Sequence, residues 1–164
     1  MDRVIRSVED VLKPDESLAA WVADGTIRPG RALDLGCGPG RNAIHLAALG
    51  FEVDAVDVSP AAVAWGRDRA RAAGVDVRFH RADAVTAELP GSYDLVYDSG
   101  CFHRLPPHQR AGYRALLDRA LAPGGLLGLS CRTAGRPDGI FAGLTRVELR
   151  GERFAWTALF RRPS

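Results

Sequence analysis

The sequence predicts an α/β fold with a doubly wound, mostly parallel sheet and a C-terminal antiparallel hairpin, and three observations carry the prediction. Five short strand-like runs, over 31–35, 51–57, 75–80, 93–98 and 126–131, alternate with segments of helical period, the order that gives a parallel sheet with helices on both faces. The first run passes through a loop with glycine at 36, 38 and 40 straight into a helical pattern. Residues 144–150 and 153–160 alternate instead as two neighbouring strands joined at Gly151-Glu152.

The segment Arg31-Ala-Leu-Asp-Leu-Gly-Cys-Gly-Pro-Gly-Arg-Asn-Ala43 organises the chain. Without β-carbons its loop turns sharply and lets a ligand lie against the backbone, and the following helix points its first unpaired N–H groups into the same space. The spacing is Gly-x-Gly-x-Gly, whereas a pyrophosphate fingerprint wants Gly-x-Gly-x-x-Gly, and Arg41 stands at that last position. A ligand with an adenosine but no phosphates fits better, and Asp34, just before the first glycine, suits a positive charge. S-adenosylmethionine, with a sulfonium, an ammonium and one carboxylate, has that chemistry.

Asp34-Leu-Gly-Cys-Gly-Pro-Gly40 resembles the first motif of the class I S-adenosylmethionine-dependent methyltransferases, and the later segments match that family in order along nearly the whole chain. Asp98-Ser-Gly-Cys-Phe-His103 is similar to the corresponding segment of small-molecule methyltransferases of the thiopurine and tellurite branch. The resemblance implies a Rossmann-like fold, S-adenosyl-L-methionine as cofactor and a small-molecule acceptor. The cofactor-binding residues it implies are Asp34, Gly36, Cys37, Gly38, Gly40 and Asn42 at the first motif. Further along they are Asp57 with Val58, Asp83 with Ala84, and Asp98 with Ser99.

At 164 residues, 46% hydrophobic and 26% charged, the chain suits one soluble domain over 1–164. A formal charge of +2 is too small for an electrostatic footprint on nucleic acid. Cys37, Cys101 and Cys131 form no Cys-x-x-Cys pair, and no signal segment or membrane span is evident, so buried free thiols in a reducing cytoplasm are expected.

Val4, Ile5, Val8, Val11 and Leu12 fall at helical spacing, Lys13-Pro14-Asp15 interrupts them, and 17–25 reads as a second short helix ended by Gly25. In the resembling family, leading helices such as those over 1–25 cap the ligand cleft; Trp21 either lines it or belongs to the core. After the glycine-loop helix, Gly50 leads into the second strand. Asp57, about 20 residues beyond the loop at that strand's end, is placed to accept both ribose hydroxyls. Ser59-Pro60 caps the helix over 60–73, which Gly74 ends. Asp83 follows the third strand, where the family binds the adenine amino group; a loop aspartate is also a common turn-former.

The fourth strand opens into Ser99-Gly-Cys-Phe-His-Arg-Leu-Pro-Pro107, at the strand end where α/β sheets hold their ligands. His103 is the candidate for proton chemistry, as a base toward the acceptor or as a shaper of its site. Cys101, His103 and His108 lack a second ligand cluster, and no metal is expected. A helix from Pro107 carries Tyr113, Leu116, Leu117, Ala120 and Leu121 on one face, and Pro123-Gly124-Gly125 turns it into the fifth strand. Only residues 132–143 separate that strand from the next, four of them Gly or Pro, so the fifth crossover helix is shortened or absent.

That shortening leaves the acceptor site with few walls, which implies a small substrate, an open cleft or completion by a second subunit as a homodimer. Three alternatives to methyl transfer stay open on sequence grounds. They are a rearrangement or cyclisation of a natural product on the same cofactor, a nicotinamide oxidoreductase, and a non-catalytic partner of another methyltransferase.

Overall fold

A computed structural model describes residues 12–132, 139–152 and 154–164. The helix expected over 1–12 lies almost wholly outside these residues. Helices α1 (Glu16–Ala23), α2 (Arg41–Ala48), α3 (Pro60–Ala73) and α4 (Arg110–Ala120) accompany strands β1 (Arg31–Leu35), β2 (Glu52–Asp57), β3 (Val77–Arg81), β4 (Tyr93–Ser99) and β5 (Leu121–Cys131). Strands β6 (Thr145–Glu152) and β7 (Ala155–Arg161) follow. The sheet runs β3-β2-β1-β4-β5-β7-β6, parallel from β3 to β5 and antiparallel at β5–β7 and β7–β6. It is the mostly parallel, Rossmann-like sheet with a terminal hairpin that the alternation of elements predicts.

Burial explains the apolar runs. In β1, residues 32–35 are all buried, as a central parallel strand covered on both faces requires. Leu18 and Trp21 of α1, Ala43 and Leu46 of α2, and Val63 and Ala70 of α3 pack on one face. Tyr113, Leu116, Leu117 and Ala120 of α4 pack on the other. Trp21 is a core residue, 2% exposed, and donates its indole N–H to Glu148 of β6.

Several boundaries move from the sequence expectation. α4 begins at Arg110 after a 3-10 turn over Pro107–Gln109, and β5 begins at Leu121, not Leu126. The ladder joins Leu121 to Tyr93 and then Leu126 to Leu95, so the residues between them loop out of register around Pro123-Gly124-Gly125. The hairpin reverses after Glu152, which pairs with Ala155, so Gly151 lies within β6 and not in the turn. Gly151 has φ 105°, and a Cβ there would lie 2.3 Å from the Ala155 carbonyl oxygen, which explains a glycine in mid-strand. Residues 133–138 fall outside the description; among the described residues of this connection, 139–142 form turns and no helix. Phe141 there stacks between Phe102 and Phe160, with centroids 5.4 and 5.1 Å away, covering sheet that a crossover helix would otherwise cover.

Phe79 of β3 wedges between Gly66 of α3 and Gly40 of the glycine loop. A Cβ on Gly66 would meet its ring at 2.5 Å, and one on Gly40 at 2.8 Å. Gly66→Ala therefore has a sign opposite to helix propensity: the gain of about 1 kcal/mol for Ala is outweighed by overpacking of about 1–3 kcal/mol. We expect a net loss of up to about 2 kcal/mol, read by urea unfolding, because the ring cannot retreat without striking Gly40. A more stable variant would show that Phe79 has room to move.

Candidate active site

The strand order reverses between β1 and β4, and the loops leaving their carboxyl ends part around a crevice. The two loops approach closely because the first is glycine. Gly36 has φ 66°, and a Cβ on it would stand 2.9 Å from that of Cys101. The crevice is a cavity of about 250 Å³. Gly36, Asp57 and Val58 line it from the β1–β2 side, Asp83 and Ala84 from the loop after β3, and Ser99, Cys101, Arg104, Leu105 and Gln109 from the segment after β4.

Asp57 braces the site. Its Oδ2 accepts the Gly38 N–H at 2.9 Å and its Oδ1 accepts the Ser59 N–H at 2.8 Å, so one carboxylate holds both the glycine loop and the entry to α3. Asp83 is exposed at the cavity wall and forms a local turn, accepting the Val85 N–H at 2.8 Å. Asp98 is fully buried behind the cavity and shapes the loop in front of it. It accepts from the Cys101 N–H at 2.7 Å, the Phe102 N–H at 3.0 Å and the Tyr113 hydroxyl at 2.6 Å. Burial pushes its carboxyl up to about 6, against the pull of those hydrogen bonds.

Cys37 and Asn42 are buried outside the cavity lining, and Asp34 lies beneath the glycine loop at 2% exposure. One carboxylate oxygen of Asp34 has no hydrogen-bond partner. Burial first, and then the nearby Asp15 carboxylate, push Asp34 up to about 8, with Arg41 opposing. Cys101 is a half-buried wall residue and not the buried thiol expected; burial raises it to about 12, so it remains a thiol.

The sequence reading missed Asp15. It stands at the N-cap position of α1, but its side chain caps nothing there and reaches across the fold instead. Its carboxylate accepts the Tyr97 hydroxyl at 2.6 Å and pairs with Arg41, while its own N–H donates to Asn42 Oδ1 at 2.8 Å. Arg41 in turn donates to Ser99 Oγ at 2.9 Å. Burial opposes ionisation of Asp15, but hydrogen bonds from Ser99, Tyr97 and Arg41 hold its carboxyl below the ordinary value. This network ties the segment before α1 to the glycine loop and to the end of β4. Its only advance signal was an Asp between a proline and a helix.

His103 sits outside the cavity lining, its ring over Gly100, with Nδ1 accepting the Arg132 N–H at 3.3 Å. Burial and then the Arg104 charge lower its pKa, which favours the neutral imidazole. Among the described residues, no cluster of three or more His, Cys, Asp or Glu side chains is placed to hold a metal ion. No helix among them is long and apolar enough to cross a membrane.

The chain belongs to the methyltransferase domain family, whose model matches residues 32–125, from β1 into β5 and so across the whole cavity lining. This agrees with the class I, S-adenosylmethionine-dependent methyltransferase resemblance of the first motif. An uncharacterized methyltransferase of Schizosaccharomyces pombe is 37% identical over 86 residues, 52% of this chain and 59% of that one. The 2-heptyl-1-hydroxyquinolin-4(1H)-one methyltransferase of Mycobacteroides abscessus is 31% identical over 114 residues, 68% of this chain and 50% of its own. The chain thus spans about half the length of the curated relatives it matches. A solved structure described for conversion of a disulfide bond into a thioacetal group during echinomycin biosynthesis is similar over 97% of this chain and 86% of its own. Its TM-score is 0.82 and its identity 28%. TehB from Haemophilus influenzae, at 17% identity, shares the fold with a TM-score of 0.80 over 90% of this chain and 62% of its own.

Proposed function

We propose that this chain transfers the methyl group of S-adenosylmethionine to a small-molecule nucleophile bearing an O, N, S or C acceptor atom. The carrying observation is that Gly36 of the glycine loop, Asp57 and Asp83 line one cavity at the strand-order reversal of a methyltransferase domain, with Gly38 and Gly40 outside the lining. Bound there, the cofactor supplies an electrophilic methyl group on a sulfonium. The chain's own residues do the rest by holding, orienting and excluding water, which favours a reaction that neutralises charge.

In this reading Asp57 takes the ribose, because each of its oxygens accepts one backbone N–H and keeps a second lone pair for a hydroxyl. Asp83 and Ala84 take the adenine, and Asp34, buried beneath the glycine loop, acts on the cationic part of the cofactor through its charge. His103 shapes the acceptor site; with Nδ1 accepting the Arg132 N–H its neutral ring carries the proton on Nε2, so it receives the acceptor's proton only by giving up that bond. Named relatives that act on a hydroxyquinolone or in ubiquinone biosynthesis support a small acceptor. A homodimer that completes the short acceptor side, and a cytoplasmic setting for three free cysteines, belong to the same reading. The alternative to this reading is a rearrangement or cyclisation of a natural product on the same cofactor, which the relatives do not favour over methyl transfer. That reading requires turnover without matching release of S-adenosylhomocysteine.

Calorimetric titration with S-adenosylmethionine and S-adenosylhomocysteine tests the proposal: micromolar binding of both is expected, and no binding of either would end it. Its pH dependence tests Asp34. With its carboxyl raised to about 8 among Asp15, Asp98 and Arg41, Asp34 is mostly protonated at neutral pH, and a cationic ligand favours its ionised form. Affinity should therefore rise with pH up to about 8, by at most roughly tenfold per pH unit. Asp34→Asn should lack that part of the slope. The amine of the ligand titrates alike for both proteins, so equal slopes would remove Asp34 from the site.

A further inference from the structure

We propose that a second cavity, at the carboxyl end of β5 and the start of β7, seats a carboxylate of the methyl acceptor; this rests on the methyl-transfer reading. The cavity measures about 250 Å³ and is lined by Ser130, Arg132, Arg150, Trp156 and Thr157 among others. Its polar equipment is weighted toward donation. Two guanidiniums carry fixed positive charge and no acceptor, and the two hydroxyls can donate. Trp156, 4% exposed with its indole N–H buried and unpartnered, packs beside Cys131 on the opposite face of the sheet from Ser130 and Thr157, so the donors facing one side of the cavity are the guanidiniums and the hydroxyls. Among the described residues no carboxylate lines this cavity.

The nearest acid works from outside. Glu148 pairs with Arg150 and also accepts the indole N–H of Trp21, so the guanidinium is anchored through β6 to the core of α1. A planar guanidinium held in this way is prepared for a carboxylate. Among the described residues Asp24 is a second acid within electrostatic reach of Arg150, so the outlying carboxylates stand around this wall and none stands in its lining.

Position links this cavity to the chemistry. Ser130 lines it and is in register with Ser99 on the neighbouring strand, and Ser99 lines the first cavity. Adjacent strands lie about 4.8 Å apart, so the linings of the two cavities approach to about one strand spacing at these two serines. The Arg132 N–H that donates to His103 Nδ1 joins the same wall to the candidate base. At about 250 Å³, just below the usual range of about 300–1,000 Å³ for ligand pockets, the cavity holds an acceptor, or the acidic part of one, no larger than a single ring.

Benzoate and benzamide separate charge from shape. Each is titrated into the full chain saturated with S-adenosylhomocysteine, by ligand-observed NMR. Benzoate should bind at least about tenfold more tightly, the scale of one hydrogen bond to a charged group. In the Arg132→Gln, Arg150→Gln double variant that preference should fall to about threefold or less, with S-adenosylhomocysteine affinity unchanged as the sign of an intact fold. Equal binding of the two probes, no binding of benzoate, or a preference that survives in the double variant would overturn the inference. Failure of S-adenosylhomocysteine to bind overturns the methyl-transfer reading instead. The same benzoate titration on the unloaded protein then shows whether the anion cavity stands without it.

Discussion

An Asp57→Ala variant is expected to bind S-adenosylmethionine about 10- to 100-fold more weakly than the native chain, the equivalent of about 1–3 kcal/mol for hydrogen bonds to a charged group. Two losses combine. The ribose loses its acceptor, and the Gly38 and Ser59 N–H groups lose the carboxylate that fixes the glycine loop against the entry to α3. Asp57→Asn should recover little of this. Both oxygens are already accepting, and an amide would set its own NH2 against one of those N–H donors. Calorimetry on variants checked for unchanged unfolding midpoints measures the effect. Native-like affinity in Asp57→Ala would place the ribose elsewhere.

Asp98→Ala is expected to act on stability before binding. The substitution leaves the Cys101 N–H at the cavity wall and the buried Phe102 N–H and Tyr113 hydroxyl without their acceptor, and each buried unsatisfied donor costs about 1–3 kcal/mol. Because such costs are not additive, we expect a loss of about 3–5 kcal/mol, a large share of a stability of about 5–15 kcal/mol. Urea unfolding reads it directly. The pH dependence carries a sign of its own. The folded chain keeps the Asp98 proton up to about 6, whereas an unfolded aspartate releases it near about 4. Between those values the folded state binds more protons, so the contribution of Asp98 to stability falls as pH rises. Asp98→Asn should lack that fall; an identical pH profile would mean that Asp98 is not the group titrating. Loss of the loop over Ser99–Phe102 should also weaken cofactor binding, since Ser99 and Cys101 line the cavity.

The alternation of elements, the glycine loop and the acidic residue at each strand end were legible because they depend on local chemistry. Strand and helix periods follow from side-chain burial on one face, and Gly36 and Gly40 are required by left-handed backbone angles that other residues rarely adopt. The short link after β5 was legible from chain length, because too few residues remain to build a helical crossover.

What the sequence could not show depends on which distant groups meet. Asp98 looked like one more cofactor ligand at a strand end, and only Tyr113 from α4 and the turn at Cys101 show why it is buried and occupied. Asp15 looked like a helix start until Tyr97, Arg41 and Asn42 were brought around it from three other elements. The hairpin turn shifted by two residues because strand register is set by pairing against β5 and β7, not by the local Gly-Glu signal. The second cavity, with Arg132, Arg150 and Trp156 drawn from three strand ends, exists only once β7 lies antiparallel beside β5. Local preference is written into neighbouring residues, whereas the electrostatics of a site arise from groups that folding brings together.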